Sequence, residues 1–531
     1  MAFRIQSIAL SLEEEEPTLQ RKAAEILKIS PEQIRKFKII KKSIDARRKN
    51  RIHFVYALEV SLSEEEERKV LDQPPPGLQI QKVTETSAPV SARIKKKPAK
   101  RPVIVGTGPA GLFAALKLTA NGLPPLILER GKEVPGRVKD VERFWHDGTL
   151  ETESNVQFGE GGAGTFSDGK LYTRLNDPRV CAILETFHRF GAPPEILFLQ
   201  RPHIGTDHLR RVVLAIRKHL QEQDAEFKFQ AKVTRLKIFH DEFQGVIVNE
   251  KDEIDSSILF LAPGNSARDT LRMLQNSGVA LEPKPFAIGL RVEHPQRLID
   301  HIQYGRSAGH PRLPPADYQL THRDSKGRAV YSFCMCPGGS VIAASSEGQG
   351  LVTNGMSLFR RNSPWANSAL VVSVGVEDFG GKGPFAGMEF QRRWEETAYR
   401  LGGGNFRAPA QGVQDFLQNR DPSFVRETSY KPGVTPARLD ECLPAFVRES
   451  LREALPYFNR KMSGFISSEA VLIGIETRTS CPLRISRNED YQSQSIRGLY
   501  PIGEGSGYAG GIISSALDGM KAAEAGLKKF G

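Results

Sequence analysis

Three observations predict an α/β chain built on a dinucleotide-binding core. Two glycine-rich turns, at 103–111 and 503–511, each join a short apolar strand to a helical pattern. The strand-rich stretch between them holds no further unit of that kind. The first seventy residues alternate strand and helix patterns ahead of a segment rich in Pro and Lys. The expected order is a small α/β domain at 1–72, a linker at 73–101 and a first part of the core at 102–282. An inserted α+β domain follows at 283–463, and the core returns at 464–531.

In the first domain, Phe3 to Leu10 alternates as a strand and Thr18 to Leu27 is a helix. Ser30 to Phe37 is expected as a second short helix, with Ser30 as N-cap and Pro31 at its first position. Lys38–Ile44 and Ile52–Val60 are expected strands. Asp72-Gln73-Pro74-Pro75-Pro76-Gly77 opens the linker, which closes on Lys95-Lys96-Lys97-Pro98.

Arg101 to Val105 is a buried-strand pattern, and Pro109 to Leu118 is a helix. Between them Gly106, Gly108 and Gly111 fit GxGxxG. Gly106 allows the tight turn, Gly108 lets backbone approach a pyrophosphate, and Gly111 lets the helix pack on the strand. Free N–H groups around Pro109 and Ala110 favour a phosphate anion. Pro124 to Leu128 is a second strand. It ends on Glu129, at the place where an acid meets ribose hydroxyls, followed by Arg130. The motif alone leaves NAD and FAD open.

The dense loop at 159–171 carries Gly159, Gly161, Gly162, Gly164 and Gly169. It admits backbone close to something flat or anionic, and its interleaved Thr, Phe, Ser and Asp argue against a plain linker. Thr206 to Gln223 is a helix, with strands expected near Phe227–Thr234, Phe243–Asn249 and Ile258–Ala262. The last ends at Ala262-Pro263-Gly264, a third point of backbone approach. The closing motif runs Gly503-Glu504-Gly505 into a helix over 514–525, with Gly511 and Ile512 just ahead of it. It resembles the place where flavoproteins of the glutathione-reductase type close over FAD. There an acid bonds a ribityl hydroxyl, and a helix N-terminus faces the flavin pyrimidine edge and favours negative charge on it. This decides for FAD.

With these residues in hand, the chain resembles the family of uncharacterised FAD-dependent dehydrogenases, often labelled NAD-utilising. The matching stretches are VGTGPAGL (105–112), GEGGAGTFSDGKL (159–171), PFAIGLRVEHPQ (285–296), YSFCMCPGG (331–339), NGMS (354–357), ETRTSCPLRI (476–485) and YPIGEGSGYAGGI (500–512). SIDARRKNRIHFVY (43–56) resembles the family's entry region. The resemblance implies bound FAD and a Rossmann-like FAD-binding domain (three-layer ββα) with an inserted α+β lid domain and a small N-terminal α/β domain. In related folds, backbone at a position like Val233 contacts the adenine. The resemblance implies no substrate.

At 531 residues the chain is too long for one core. Its 39% hydrophobic and 26% charged residues are those of a soluble globular protein. No apolar run approaches the ~18 residues of a membrane span. The start lacks a basic secretory n-region, and five cysteines give no disulfide framework, so a cytoplasmic location is expected. Net charge is +12, and the first hundred residues hold 21 basic against 14 acidic side chains. Arg35, Lys36, Lys38, Lys41, Lys42, Arg47, Arg48, Lys49 and Arg51 cluster there. Such a patch suits nucleic acid, anionic lipid or an acidic protein, but a solvated face is the stronger reading, and few aromatics interleave to stack bases.

Gly380–Gly383 and Gly402–Gly404 lack a flanking strand and helix, so no separate NAD(P)H domain is expected, and NAD(P)H, if it reduces the flavin, docks transiently on the lid. Cys334 and Cys336 form a C-x-C whose side chains would share one face of a strand, as a redox pair or as buried lining. Two such ligands without matching His spacing make no metal site. Arg478 suits a substrate carboxylate, or structural pairing with an acid such as Glu476. Arg291, Glu293 and His294 form a polar cluster, with His294 expected in a turn before Pro295. The reading is an FAD-dependent oxidoreductase acting on a small-molecule substrate or redox partner. Its rivals are an RNA-docking flavoprotein that modifies RNA and a flavin-gated interaction protein.

Overall fold

The computed structural model describes residues 2–72, 98–422 and 424–530. Most of the expected linker, residues 73–97, lies outside the described residues. The N-terminal domain is a three-stranded antiparallel sheet in which His53–Ser61 lies between Ala2–Ser11 and Lys36–Asp45. Helix Thr18–Leu27 buries Leu19, Ala23, Ala24 and Leu27, and ends where Lys28 turns left-handed. The expected second helix is a single 3-10 turn, Pro31–Gln33. From Lys36 the alternating Lys-Phe-Lys-Ile pattern pairs with 53–61 instead, so strand pairing overrides the helix start. The expected linker onset at Asp72 closes a further helix, Glu64–Asp72. The domain is bound to the core through backbone: Lys42 N–H donates to Phe198 O (2.7 Å), and Gln200 N–H donates to Lys42 O (2.9 Å).

The core sheet has five parallel strands, ordered Leu499–Pro501, Leu259–Leu261, Val103–Val105, Leu126–Leu128 and Glu226–Lys228. Strand alternation sends its side chains two ways. Ile104, Ile127, Phe260 and Tyr500 pack on helices Pro109–Ala120, Gly205–Glu222 and Ile512–Leu527. Val103, Leu126, Leu259 and Leu499 pack on a three-stranded antiparallel sheet, Val233–Phe239, Glu242–Val248 and Asp252–Asp255. This is the expected three-layer ββα arrangement of a Rossmann-like domain. The continuous strand expected near Phe227–Thr234 is two strands in two different sheets, divided at a turn where Gln230 is left-handed.

The insertion is a seven-stranded mixed sheet. Its central strand Phe286–Pro295 is buried along its whole length and pairs with Trp365–Val374 on one side and Val471–Glu476 on the other. The way in and the way out are therefore neighbouring antiparallel strands. Below them Leu281–Pro283 pairs with Leu483–Ile485 as a two-stranded stalk. The core thus resumes after 476, beyond the expected return at 464, because Val471–Glu476 finds its partners inside the insertion. Ile288, Leu290, Val330 and Val372 meet helix Ala445–Lys461 on one face. On the other face Ala287, Ala369 and Val371 lie under Tyr331 and Phe333. Among the described residues no helix is long and apolar enough to cross a membrane.

Candidate functional site

One cavity of about 880 Å³ runs from the first glycine turn to the closing turn, under the small-residue face of the inserted sheet. At its nucleotide end, Gly106 has φ +95°, and a Cβ there would strike the carbonyl oxygen of Ala262. Gly108 faces open space, and its nearest neighbour across the gap is Gly162 Cα, 3.9 Å from where a Cβ would stand. Gly106, Gly108, Pro109, Ala110, Gly162, Gly164, Val233 and Ala262 all line the cavity. Gly111, Gly161 and Gly505 do not. A Cβ on each would strike Gly106 O, Thr165 Oγ1 and Gly264 O respectively, so these three serve the close packing behind the wall.

Glu129 is buried at the strand end and lines the cavity, but its oxygens are taken up by the fold. One accepts from Thr107 N–H (3.0 Å) and Thr107 Oγ1 (2.6 Å), the other from Gly131 N–H and Gly159 N–H (both 3.0 Å). The acid ties the dense glycine loop to the first turn. Arg130 lies over the Phe158 ring (4.0 Å) and is held by Glu153 (2.7 Å) and by both oxygens of Asp269 (2.9 Å each).

Beneath the loop sits a residue that sequence reasoning missed. Arg137, on helix Val134–Asp147, is fully buried, and it donates to the carbonyls of Asn155, Val156, Gly159, Glu160 and Gly162 at 2.7–3.2 Å. Among the described residues no carboxylate pairs with it. Burial lowers it to about 9, which still leaves it charged at neutral pH. Five carbonyls of the 155–162 loop turned toward one guanidinium, with the loop N–H groups of Gly159, Glu160 and Gly161 bonded to Glu129, Lys132 O and Thr107 O, fix the loop's shape against the cavity.

At the closing end, Gly264, Gly510 and Gly511 would each meet nothing within 4 Å on gaining a Cβ, so bare backbone borders the space. Gly503 N–H donates to Asp518 (2.7 Å), itself clamped by Arg487 (2.6 Å). Helix Ile512–Leu527 begins on the wall, where Gly511, Ile512 and Ser514 line the cavity. Glu504 accepts from Asn265 Nδ2 (2.9 Å), and burial pushes its carboxyl up to about 7 against the pull of Lys284 and Asn265.

The lid side carries the remaining candidates. Cys334 and Cys336 line the cavity with Tyr331, Phe333, Lys170 and Tyr172. Their strand, Ala329–Cys336, is not regular: register slips between Phe333 and Cys336, and Cys334 has φ +45°. The shared strand face expected for the pair is replaced by a bulge. Burial pushes the Cys334 thiol up to about 12 and Cys336 in the same direction, with Lys170 opposing both. Lys170 Nζ lies 3.0 Å from Asp168, which also receives both ends of Arg361 (3.1 and 2.6 Å) and the Ser357 hydroxyl. This network holds Asp168 well below the usual carboxylate range.

Arg478 lines the cavity, but its guanidinium is engaged. It binds Glu395 (3.2 and 2.9 Å) and Ser346 (2.6 Å), and Arg268 shares the same carboxylate (2.9 Å). The partner named from sequence, Glu476, instead binds Arg291 (2.8 Å). The carboxylate-clamp reading is therefore replaced by a structural pair. His294 is no turn residue. It lies fully buried within Phe286–Pro295, bonded through Nε2 to Phe465 O (2.8 Å), and burial lowers it to about 4. Glu293 accepts from Ser429 N–H (3.1 Å). Neither borders the cavity.

Three family models match. Residues 285–479 match one described as FAD-dependent protein, C-terminal domain-like; 104–167 match an NAD(P)-binding Rossmann-like domain; and 2–61 match a domain of unknown function. An uncharacterized protein of Clostridium beijerinckii is 46% identical over 535 residues, covering 100% of this chain and 99% of that protein. The chain belongs to the same family as that protein. Among solved structures, the flavin-dependent brominase Bmp2 aligns at 13% identity and TM-score 0.37, covering 81% of this chain and 79% of that one. Glycine oxidase from Bacillus cereus aligns at 11% identity and TM-score 0.34, covering 81% and 95%. The family matches support an FAD-dependent flavoprotein.

Proposed function

We propose that this chain is an FAD-dependent oxidoreductase of the dehydrogenase kind. The observation that carries the reading is a single cavity whose two ends are the two glycine turns and whose roof is the inserted sheet. The residues fit the cofactor. Gly108, Gly162, Gly264, Gly510 and Gly511 leave bare backbone along the space, and its volume falls in the range of small-molecule sites, about 300–1,000 Å³.

In this reading, the backbone N–H groups of Gly108 and Ala110 at a helix start hold the pyrophosphate, Gly106 makes the turn that presents them, and Pro109 opens the helix. Glu129, Arg130 and the backbone at Val233 border the adenosine. Gly162, Gly164, Ala262 and Gly264 flank the middle of the cofactor. Glu504 meets the ribityl chain, and the N-terminus at Gly511–Ile512 faces the pyrimidine edge and favours negative charge there. Bound so, FAD supplies two-electron chemistry at its ring. Tyr331 and Phe333 of the inserted sheet, with Lys170 and Tyr172 of the core, then border the space left for a substrate and limit the entry of water. The inserted sheet contributes no second dinucleotide cradle, so NAD(P)H as donor docks transiently against that face.

The test is an anaerobic absorption spectrum of the purified protein before and after addition of NADH or NADPH. Yellow protein with oxidised-flavin bands is expected, and their rapid loss identifies the pyridine nucleotide as donor. Flavin bands that persist assign reduction to an organic substrate instead. A chain that retains no flavin and takes up none from solution overturns the reading.

A further inference from the structure

We propose that Cys334 and Cys336 form a second two-electron centre beside the FAD, a dithiol that closes to a disulfide by passing its electrons to the flavin. The proposal rests on the flavoprotein reading above. Three independent features of the lid carry it.

The first is the backbone. On a regular strand, residues i and i+2 stand about 6.6–7 Å apart at Cα, the upper edge of what a disulfide spans. This strand is not regular at the pair. Cys334 has φ +45°, a conformation that L side chains rarely adopt, and the ladder loses register between Phe333 and Cys336. The chain curls so that the Cys336 thiol donates to the carbonyl of Cys334 itself (3.2 Å). Three steps along this strand, Phe333 to Cys336, stand opposite two on its neighbour, Ala369 to Asn367, so the chain is compressed at the pair. Strain of this kind at a non-glycine residue gathers at working sites.

The second is placement. Both cysteines line the cavity, on the sheet that roofs it. The other three do not: Cys181 is exposed, and Cys442 and Cys481 are buried singly against the carbonyls of Leu439 and Gly505.

The third is charge. Cys336 Sγ lies 4.0 Å from Lys170 Nζ and 3.9 Å from Arg291 Nη2, and the same Arg291 nitrogen donates to Cys334 O (2.7 Å). The cations in direct contact here are Lys170, Arg291 and Arg361. The anions are Asp168, bonded to Lys170 and Arg361, and Glu476, bonded to Arg291. One positive charge is left over, and it opposes the burial that keeps the Cys336 thiol protonated. The neighbouring His203 adds none, since burial lowers it to about 4.

The step balances within the protein. On oxidation two S–H bonds break and one S–S bond forms, and the two electrons and two protons pass to FAD as acceptor. In reverse the disulfide takes two electrons, the S–S bond breaks, and the charge develops on the Cys336 sulfur between Lys170 and Arg291. The centre thereby holds a second electron pair for an acceptor that the flavin does not meet directly.

The experiment uses the FAD-loaded holoprotein. In an anaerobic dithionite titration, the wild type should take four electrons per FAD, and Cys334→Ser and Cys336→Ser should each take two. Independently, the wild type is oxidised with ferricyanide, denatured and alkylated, then compared by mass with protein reduced beforehand. The oxidised sample should carry two fewer labels, both missing from the peptide that holds Cys334 and Cys336. This measurement decides even where a variant fails to fold. Two electrons per FAD together with five labelled cysteines after oxidation overturn the centre while leaving the flavoprotein reading intact. A chain that binds no FAD overturns the flavoprotein reading, and this proposal with it.

Discussion

The two ends of the cavity use buried charge in opposite ways. At the nucleotide end, Glu129 and Arg137 spend their hydrogen bonds on backbone: Glu129 on three N–H groups and the Thr107 hydroxyl, Arg137 on five carbonyls. At the lid end, charged side chains bond one another, as in Lys170–Asp168–Arg361 and Arg291–Glu476, and sulfur and aromatic rings face the space. The first arrangement freezes a loop into one shape, which suits a permanent occupant held by main chain. The second leaves side-chain chemistry pointing at whatever enters.

Removing a side chain should therefore damage the two ends differently, and the largest loss should come from Arg137→Met. It removes a shared donor from five buried carbonyls; Gly159 O, Glu160 O and Gly162 O keep a second donor in Gly162 N–H, Thr165 Oγ1 and Thr165 N–H, and Asn155 O and Val156 O are left stranded. Buried groups left unpaired cost about 1–3 kcal/mol apiece, and relaxation of the loop with entry of water brings the expected total to about 3–5 kcal/mol. Thermal unfolding should show it, with flavin content falling in parallel. A variant of wild-type stability would show that the glycine loop holds its shape without this hub.

The next effect in size belongs to Gly106→Ala. The new methyl meets the Ala262 carbonyl, and φ +95° is strained for alanine, together about 1–3 kcal/mol. Flavin retained after gel filtration should drop well before the fold is lost. The same exchange at Gly510, where a Cβ meets nothing, should leave stability nearly unchanged, so the pair of variants separates wall glycines under strain from those that merely border the cavity.

The nucleotide end was largely legible in the sequence and the lid end was not, and the reason is contact range. Gly106 and Gly108 follow from a strand, a turn and a helix within thirty residues, whereas Glu129, expected to meet ribose hydroxyls, spends both oxygens on Thr107, Gly131 and Gly159. Thr18–Leu27 likewise follows from local periodicity, and the structure reproduces its bounds. Arg137 was invisible because its partners are carbonyls, which no residue type announces. Asp168 meets Arg361 across 193 residues, and Arg478 meets Glu395 across 83, so the pairing of Arg478 with its sequence neighbour Glu476 was the natural local expectation and the wrong one. The bulge at Cys334 and the true exit of the insertion after 476 likewise depend on which strands become neighbours.

Glu504, on the closing turn, gives the smallest and most specific test. Its carboxyl titrates near 7 in the folded protein, well above its ordinary value of 4.5, because burial disfavours the charged form. Between those values the native state binds a proton that the unfolded chain has released. This contribution to stability is complete below pH 4.5 and declines as pH rises through 7, at up to about 1.4 kcal/mol per pH unit. Glu504→Gln should remove that slope. In flavin-free protein, the difference in unfolding free energy between wild type and variant should therefore move in the variant's favour from pH 5 to pH 7. The proposed ribityl contact adds a donor that favours the charged carboxylate, so FAD should flatten the same slope. A pH-independent difference in the flavin-free protein would mean that water reaches the carboxylate freely. An unaltered slope on adding FAD would place Glu504 outside the cofactor's reach and shift the closing contact to the backbone at Gly511 and Ile512.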